Sequence, residues 1–102
     1  MNRAEFEEHV QRALDSLPPA LASALENVAV VVEEHDPDDP ELFGLWESHE
    51  FLPDKITIYR EPLVQAFSDP RELEAEIRVT VLHELAHYFG IDEGRLEDLG
   101  YD

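Results

Sequence analysis

No stretch of this chain constrains its fold more than the one from Arg71 to Phe89, which contains neither glycine nor proline. Asp69 stands where a helix N-cap would. Pro70 suits the first helical position, where its missing N–H goes unused, and Glu72 completes a capping box. Leu73, Ile77, Val81 and Leu85 recur at every fourth position, and Val79, Leu82, Ala86 and Phe89 form a second apolar stripe beside them. A helix that is apolar around most of its circumference belongs inside a domain. That makes His83, Glu84 and His87 conspicuous, because burying ionisable groups is costly unless something satisfies them.

His83 and His87 are four positions apart, and a helix advances about 100° per residue, so their side chains are offset by about 40° and stand one turn apart. Glu84 lies about 60° further round on the same broad face. Two imidazoles in this relation can hold a divalent metal while the carboxylate reaches a water on it, which is the physical content of His-Glu-x-x-His in zinc metallopeptidases. The blander alternative is a pair of hydrogen-bonded core histidines. Gly90 is placed to stop the helix. The spacing His83-x3-His87-x2-Gly90-x2-Glu93 then matches the metzincin arrangement, in which the glycine turns the chain so that the residue three further on returns to the metal. Metzincins have histidine there. A carboxylate is also a legitimate zinc ligand, so Glu93 is the first choice for the third ligand, with Asp92 next. Alternatively, both cap a short C-terminal helix from Asp92 to Leu99.

With 102 residues, 43% of them apolar, the chain is expected to form one domain over its whole length. It has no cysteine, so a metal must be held by histidine and carboxylate. Its 25 acids against 7 bases give a net charge of −18, which repels nucleic acid and anionic membranes and suits basic partners or substrates. A salt-tolerant or well-solvated surface is the simpler and favoured account of the charge, and a peptide or protein substrate enters with the metallopeptidase reading. The first residues carry no apolar signal core and no stretch approaches a membrane span, so a cytoplasmic location is expected. The sequence carries no signature of oligomeric state.

Arg3 to Leu17 reads as an amphipathic helix with Phe6, Val10, Ala13, Leu14 and Leu17 inward and His9 exposed at its edge. Pro18-Pro19 breaks it, and a short helix follows from Ala20 to Glu26. Val28 to Val32, continuously apolar, reads as a buried, central strand. The run from Glu33 to Glu41 is acidic and holds two prolines, hence a loop, in which His35 is solvated or a stray metal contact. Leu42 to Trp46 is a short apolar patch with strand character. Lys55 to Arg60 alternates, with Ile56 and Ile58 on one face and Thr57 and Tyr59 on the other, as a half-exposed or edge strand does. Glu61 to Phe67 reads as a short helix.

The chain resembles the minimal zincins, small bacterial members of the zincin-like metallopeptidases. The resemblance rests on Ala29–Glu33, Gly44–Glu47, Leu52–Arg60, Arg78–Ile91 and the ending Arg95–Tyr101, and the last third is its most specific part. It implies a single-domain α+β fold, a small sheet packed against helices, with the active-site helix carrying His83, Glu84 and His87. It also implies one zinc ion per chain and hydrolysis of peptide bonds with Glu84 as general base. Tyr101, Tyr59, His49 and His35 are candidates for an additional oxyanion donor, and the strand from Lys55 to Arg60 is a candidate edge for an extended substrate. Two alternatives stand beside this reading. One is a metal-binding regulatory or interaction module with little or no peptidase activity. The other is an acidic adaptor without stoichiometric zinc.

Overall fold

A computed structural model of the protein describes residues 1–89, with residues 87–89 described by their backbone alone. In chain order the elements are α1 (Arg3–Asp15), α2 (Pro19–Ala24), β1 (Val28–Glu33), β2 (Gly44–Glu47), β3 (Asp54–Tyr59), α3 (Arg60–Ala66) and α4 (Pro70–Phe89). The architecture is α+β: the described residues contain four helices and a mixed three-stranded sheet. None of these helices is long and apolar enough to cross a membrane.

The long helix forms where its sequence requires. Asp69 Oδ1 accepts the backbone N–H of Arg71 at 2.8 Å and of Glu72 at 3.2 Å, satisfying donors that a helix start otherwise leaves without partners. Leu73, Ile77, Val81, Leu82, Leu85 and Ala86 are buried against the sheet and α1. Helix α1 is capped by Asn2, whose side chain accepts the N–H of Glu5 at 2.8 Å, and it buries Phe6, Val10 and Ala13. It ends at Asp15 rather than Leu17, because a residue preceding proline is driven out of the helical region. Leu17 nonetheless stays in the core.

Helix α1 is tied to α4 by polar contacts as well. His9, expected to be exposed, is half-buried, and its Nδ1 meets the Glu74 carboxylate, which Arg12 also reaches at 3.2 Å. The correction comes from tertiary packing: α4 lies across the face of α1 on which His9 stands. The His9 contact, reinforced by Arg12, holds the Glu74 carboxyl below its usual range.

The strand order is β1-β3-β2. Strand β1 runs parallel to β3, from Val28 opposite Asp54 to Glu33 opposite Tyr59, and β2 runs antiparallel to it, from Gly44 opposite Ile58 to Glu47 opposite Lys55. Two expectations are thereby exchanged. The apolar run Val28–Val32 is an edge strand, not the central one. The alternating segment after Pro53 is central, with Ile56, Thr57, Ile58 and Tyr59 all buried. The reason is lateral shading. Thr57 and Tyr59 alternate with Ile56 and Ile58 onto the other sheet face, but β3 has a neighbour on each side, so paired residues of β1 and β2 flank both.

Asp36 Oδ2 accepts the Tyr59 hydroxyl at 3.0 Å. Burial, aided by this hydrogen bond to a carboxylate, pushes the Tyr59 phenol from 10.0 up to about 12. Arg60 donates two hydrogen bonds to Glu34, at 2.7 and 2.9 Å, and so pins the start of α3 to the end of β1. Because the folded-state value of Tyr59 lies above its ordinary one, its stabilising contribution is complete below pH 10 and is lost as pH rises through about 12. An ultraviolet titration of the three tyrosines should therefore show one ionising near pH 12, and Asp36→Asn should bring that transition down part of the way.

Candidate metal-binding site and groove

Burial of one side of α4 determines which residues it can present elsewhere. Glu76, Thr80, His83 and Glu84 recur at helical spacing and line a groove of about 330 Å³. Its opposite wall is the segment before β2, with Asp39, Glu41, Leu42 and Phe43, and its floor includes Gly44. A larger cavity of about 760 Å³ lies between α1, α2 and β1 and shares none of these residues. Size does not decide where the chemistry sits. The small groove holds the imidazole and the carboxylate.

Gly44 explains how α4 comes so close to β2. A β-carbon at this buried position would stand 2.6 Å from Thr80 Cγ2, 3.3 Å from the Thr57 carbonyl oxygen and 3.9 Å from Glu84 Cγ. Only glycine lets the Thr80–Glu84 turn rest directly on the strand. Thr80 turns its hydroxyl back to donate to the Glu76 carbonyl at 2.9 Å and presents its methyl to Gly44.

His83 is exposed at the groove and Glu84 is half-buried in it. Helix α4 continues without interruption through position 87, one turn beyond His83. The His87 side chain, Gly90, the third-ligand candidates Glu93 and Asp92, the expected helix 92–99 and Tyr101 lie outside the described residues. Among those described, no three His, Asp or Glu side chains converge on one point. The donor chemistry available here, an accessible imidazole with a second histidine position one helical turn away and a carboxylate adjoining, suits zinc.

The other oxyanion candidates stand apart from the groove lining. The Tyr59 hydroxyl proton is committed to Asp36. His35 pairs through Nδ1 with Glu61 at 3.1 Å on the surface, and His49 is exposed in the connection between β2 and β3. Conversely, Gly44, Glu76 and Thr80 were not singled out by the motif. A signal existed: Glu76, Thr80 and Glu84 repeat at every fourth position, and a glycine opening a strand marks close backbone approach.

Residues 25–101 match the family model of the zincin-like metallopeptidases, and the protein belongs to that family. The structure is similar to that of a conserved hypothetical protein from Thermo thermophilus, with a TM-score of 0.61 and 24% identity over 92% of this chain and 99% of that one. At that identity the likeness concerns the fold. No curated protein matches the sequence.

The Gly44 contact yields a direct test. Gly44→Ala should cost about 1–3 kcal/mol in urea unfolding, as overpacking of a tight contact does. Adding Thr80→Ser, which keeps the hydroxyl and removes the offending methyl, should recover much of the loss.

Proposed function

We propose that the protein is a zinc-dependent peptidase that cleaves extended peptide segments, with one zinc ion held by His83, His87 and a carboxylate, Glu93 before Asp92. The observation that carries this reading is the joint presence of His83 and Glu84 on one groove beside strand β2, in a member of the zincin-like metallopeptidase family. A zinc ion bound there would polarise the scissile carbonyl and make water acidic enough to attack near neutral pH. Glu84 takes the proton of the attacking water and returns a proton to the leaving amine. Glu84 is half-buried and lines the groove beside Gly44.

The substrate path follows from the sheet order. Lys55–Tyr59 is central and has no edge to offer, whereas β2 is the edge strand on the groove side. An extended peptide that pairs along Gly44–Glu47 would pass beside Glu84. A net charge of −18 favours such a substrate over nucleic acid. The small volume of the groove supports a second reading, in which the same residues hold zinc in an interaction module that cleaves little. Glu84 speaks against it, because a purely structural zinc site has no use for a general base.

Metal analysis combined with digestion of a mixed peptide library separates the two. The wild type should carry one zinc per chain and cleave. Glu84→Gln should keep the zinc and lose about 10²–10⁴-fold in rate, the range expected for removing a general base. His87→Ala should lose stoichiometric zinc, and equal zinc content in His87→Ala and wild type would sink the site assignment. Zinc without cleavage in the wild type would favour the interaction module.

A further inference from the structure

Strand β1 has the composition of an interior strand and the position of an edge. Val28-Ala29-Val30-Val31-Val32 is apolar toward both faces, yet among the described residues it pairs only with β3. Protected edges carry proline, lysine, a bulge or a covering helix, and the first three are missing here. Along a strand, successive residues direct their backbone groups to alternate sides. The Tyr59 N–H donates to the Phe43 carbonyl at 2.9 Å, so Tyr59, Thr57 and Lys55 face β2, and Ile58 and Ile56 face β1. In the parallel ladder this turns Ala29, Val31 and Glu33 toward β3 and leaves Val28, Val30 and Val32 pointing out. Two bonds at the ends agree: the Val28 N–H donates to the Leu25 carbonyl at 3.0 Å, and the Arg3 guanidinium donates to the Val32 carbonyl. Between them, the Val28 carbonyl, both backbone groups of Val30 and the Val32 N–H point away from β3, on the side where no strand of the described residues pairs.

These groups open onto the 760 Å³ cavity walled by α1 and α2. Val10, Leu14 and Leu25 supply apolar lining, while Glu7, Asp15 and Glu33 make its rim acidic. Arg3, the one base in the lining among the described residues, is already held by Glu7 at 3.1 Å and by the Val32 carbonyl.

We propose that β1 is completed by an extended, basic segment of a partner protein, which adds as a fourth strand and lays alternate apolar side chains in the cavity. Backbone pairing supplies affinity and the acidic rim selects the charge. A second copy of this chain is the wrong occupant, since it brings the same acidic rim and another net charge of −18. The surface lies across the sheet from β2, so its occupation is independent of the peptidase reading.

The test is fluorescence anisotropy with the full-length protein and a labelled octapeptide of alternating lysine and valine. Binding of this peptide, and not of its glutamate–valine counterpart, is expected. Two further versions carry N-methyl groups on the lysine amides or on the valine amides. One of them, and only one, should bind at least about tenfold more weakly, because only alternate amides face β1. Val30→Pro should weaken the parent peptide similarly in a variant that still unfolds cooperatively, at a midpoint lowered only by the lost valine packing, since proline is tolerated on an edge strand where its N–H would face outward. Should that variant fail to fold, the pair Asp15→Lys and Glu33→Lys should reverse the preference toward the glutamate–valine peptide. Equal binding of both methylated peptides would reduce the attraction to charge and overturn the proposal. So would a dimer in sedimentation that Asp15→Lys with Glu33→Lys or Val30→Pro disperses, because the occupant would then be a second copy.

Discussion

The burial of one side of α4 governs the rest of the molecule. Leu73, Ile77, Val81, Leu82 and Leu85 must lie against Ile56, Ile58 and the inner face of α1, and that fixes the rotation of the helix about its own axis. Once this is set, Glu76, Thr80, His83 and Glu84 have only the groove beside β2 to occupy. The site is therefore a by-product of core packing, aligned to within the tolerance that close-packed aliphatic side chains allow. Gly44 contributes the last increment by letting the strand approach the helix at the turn that carries the carboxylate.

Few positive charges are available to this acidic chain, and their placement is informative. Arg12 reaches from α1 to Glu74 on α4, Arg60 from α3 to Glu34 after β1, and Lys55 from β3 to Glu47 on β2. Arg3 ties α1 to the end of β1. Each sits at a seam between elements. Exposed pairs of this kind contribute little individually, but they leave Asp39, Glu41 and Glu76 around the groove with no basic side chain of the described residues in an ion pair with them. Glu34, Asp36 and Glu74 are all held below the usual carboxylate range, by Arg60, by the backbone N–H of Asp38 and by His9 respectively. Their joint support is present above that range and disappears as the pH falls through it.

Most of this was legible in the amino-acid order where the signal was local. The cap at Asp69, the stripes of α4 and the break at Pro18 are all encoded within a few residues of where they act. Lateral order in the sheet is not. Whether Val28–Val32 or Lys55–Tyr59 lies in the middle depends on which strand finds two neighbours, and hydrophobic alternation reports only the faces of a strand, never its edges. Thr57 and Tyr59 fell on the outer face because they alternate with Ile56 and Ile58. His9 looked exposed because its partner, Glu74, is far away in sequence. At the site, His83 and Glu84 follow from a helical motif, while Gly44 acquires meaning only when the strand is laid against the helix.

Tyr59 has one more consequence. It is the last residue of β3 and the N-cap of α3, so it joins the central strand to the helix that follows. From there its N–H holds the Phe43 carbonyl and its hydroxyl holds Asp36, near the two ends of the outer groove wall. Within that wall the Leu42 N–H bonds the Asp39 carbonyl at 3.1 Å, and the Phe43 ring meets Phe67 edge-on with centroids 6.0 Å apart. The wall is thus a preorganised surface, shaped before any ligand arrives. For any ligand of the groove, a wall already tied in this way leaves less of the ordering cost to the protein.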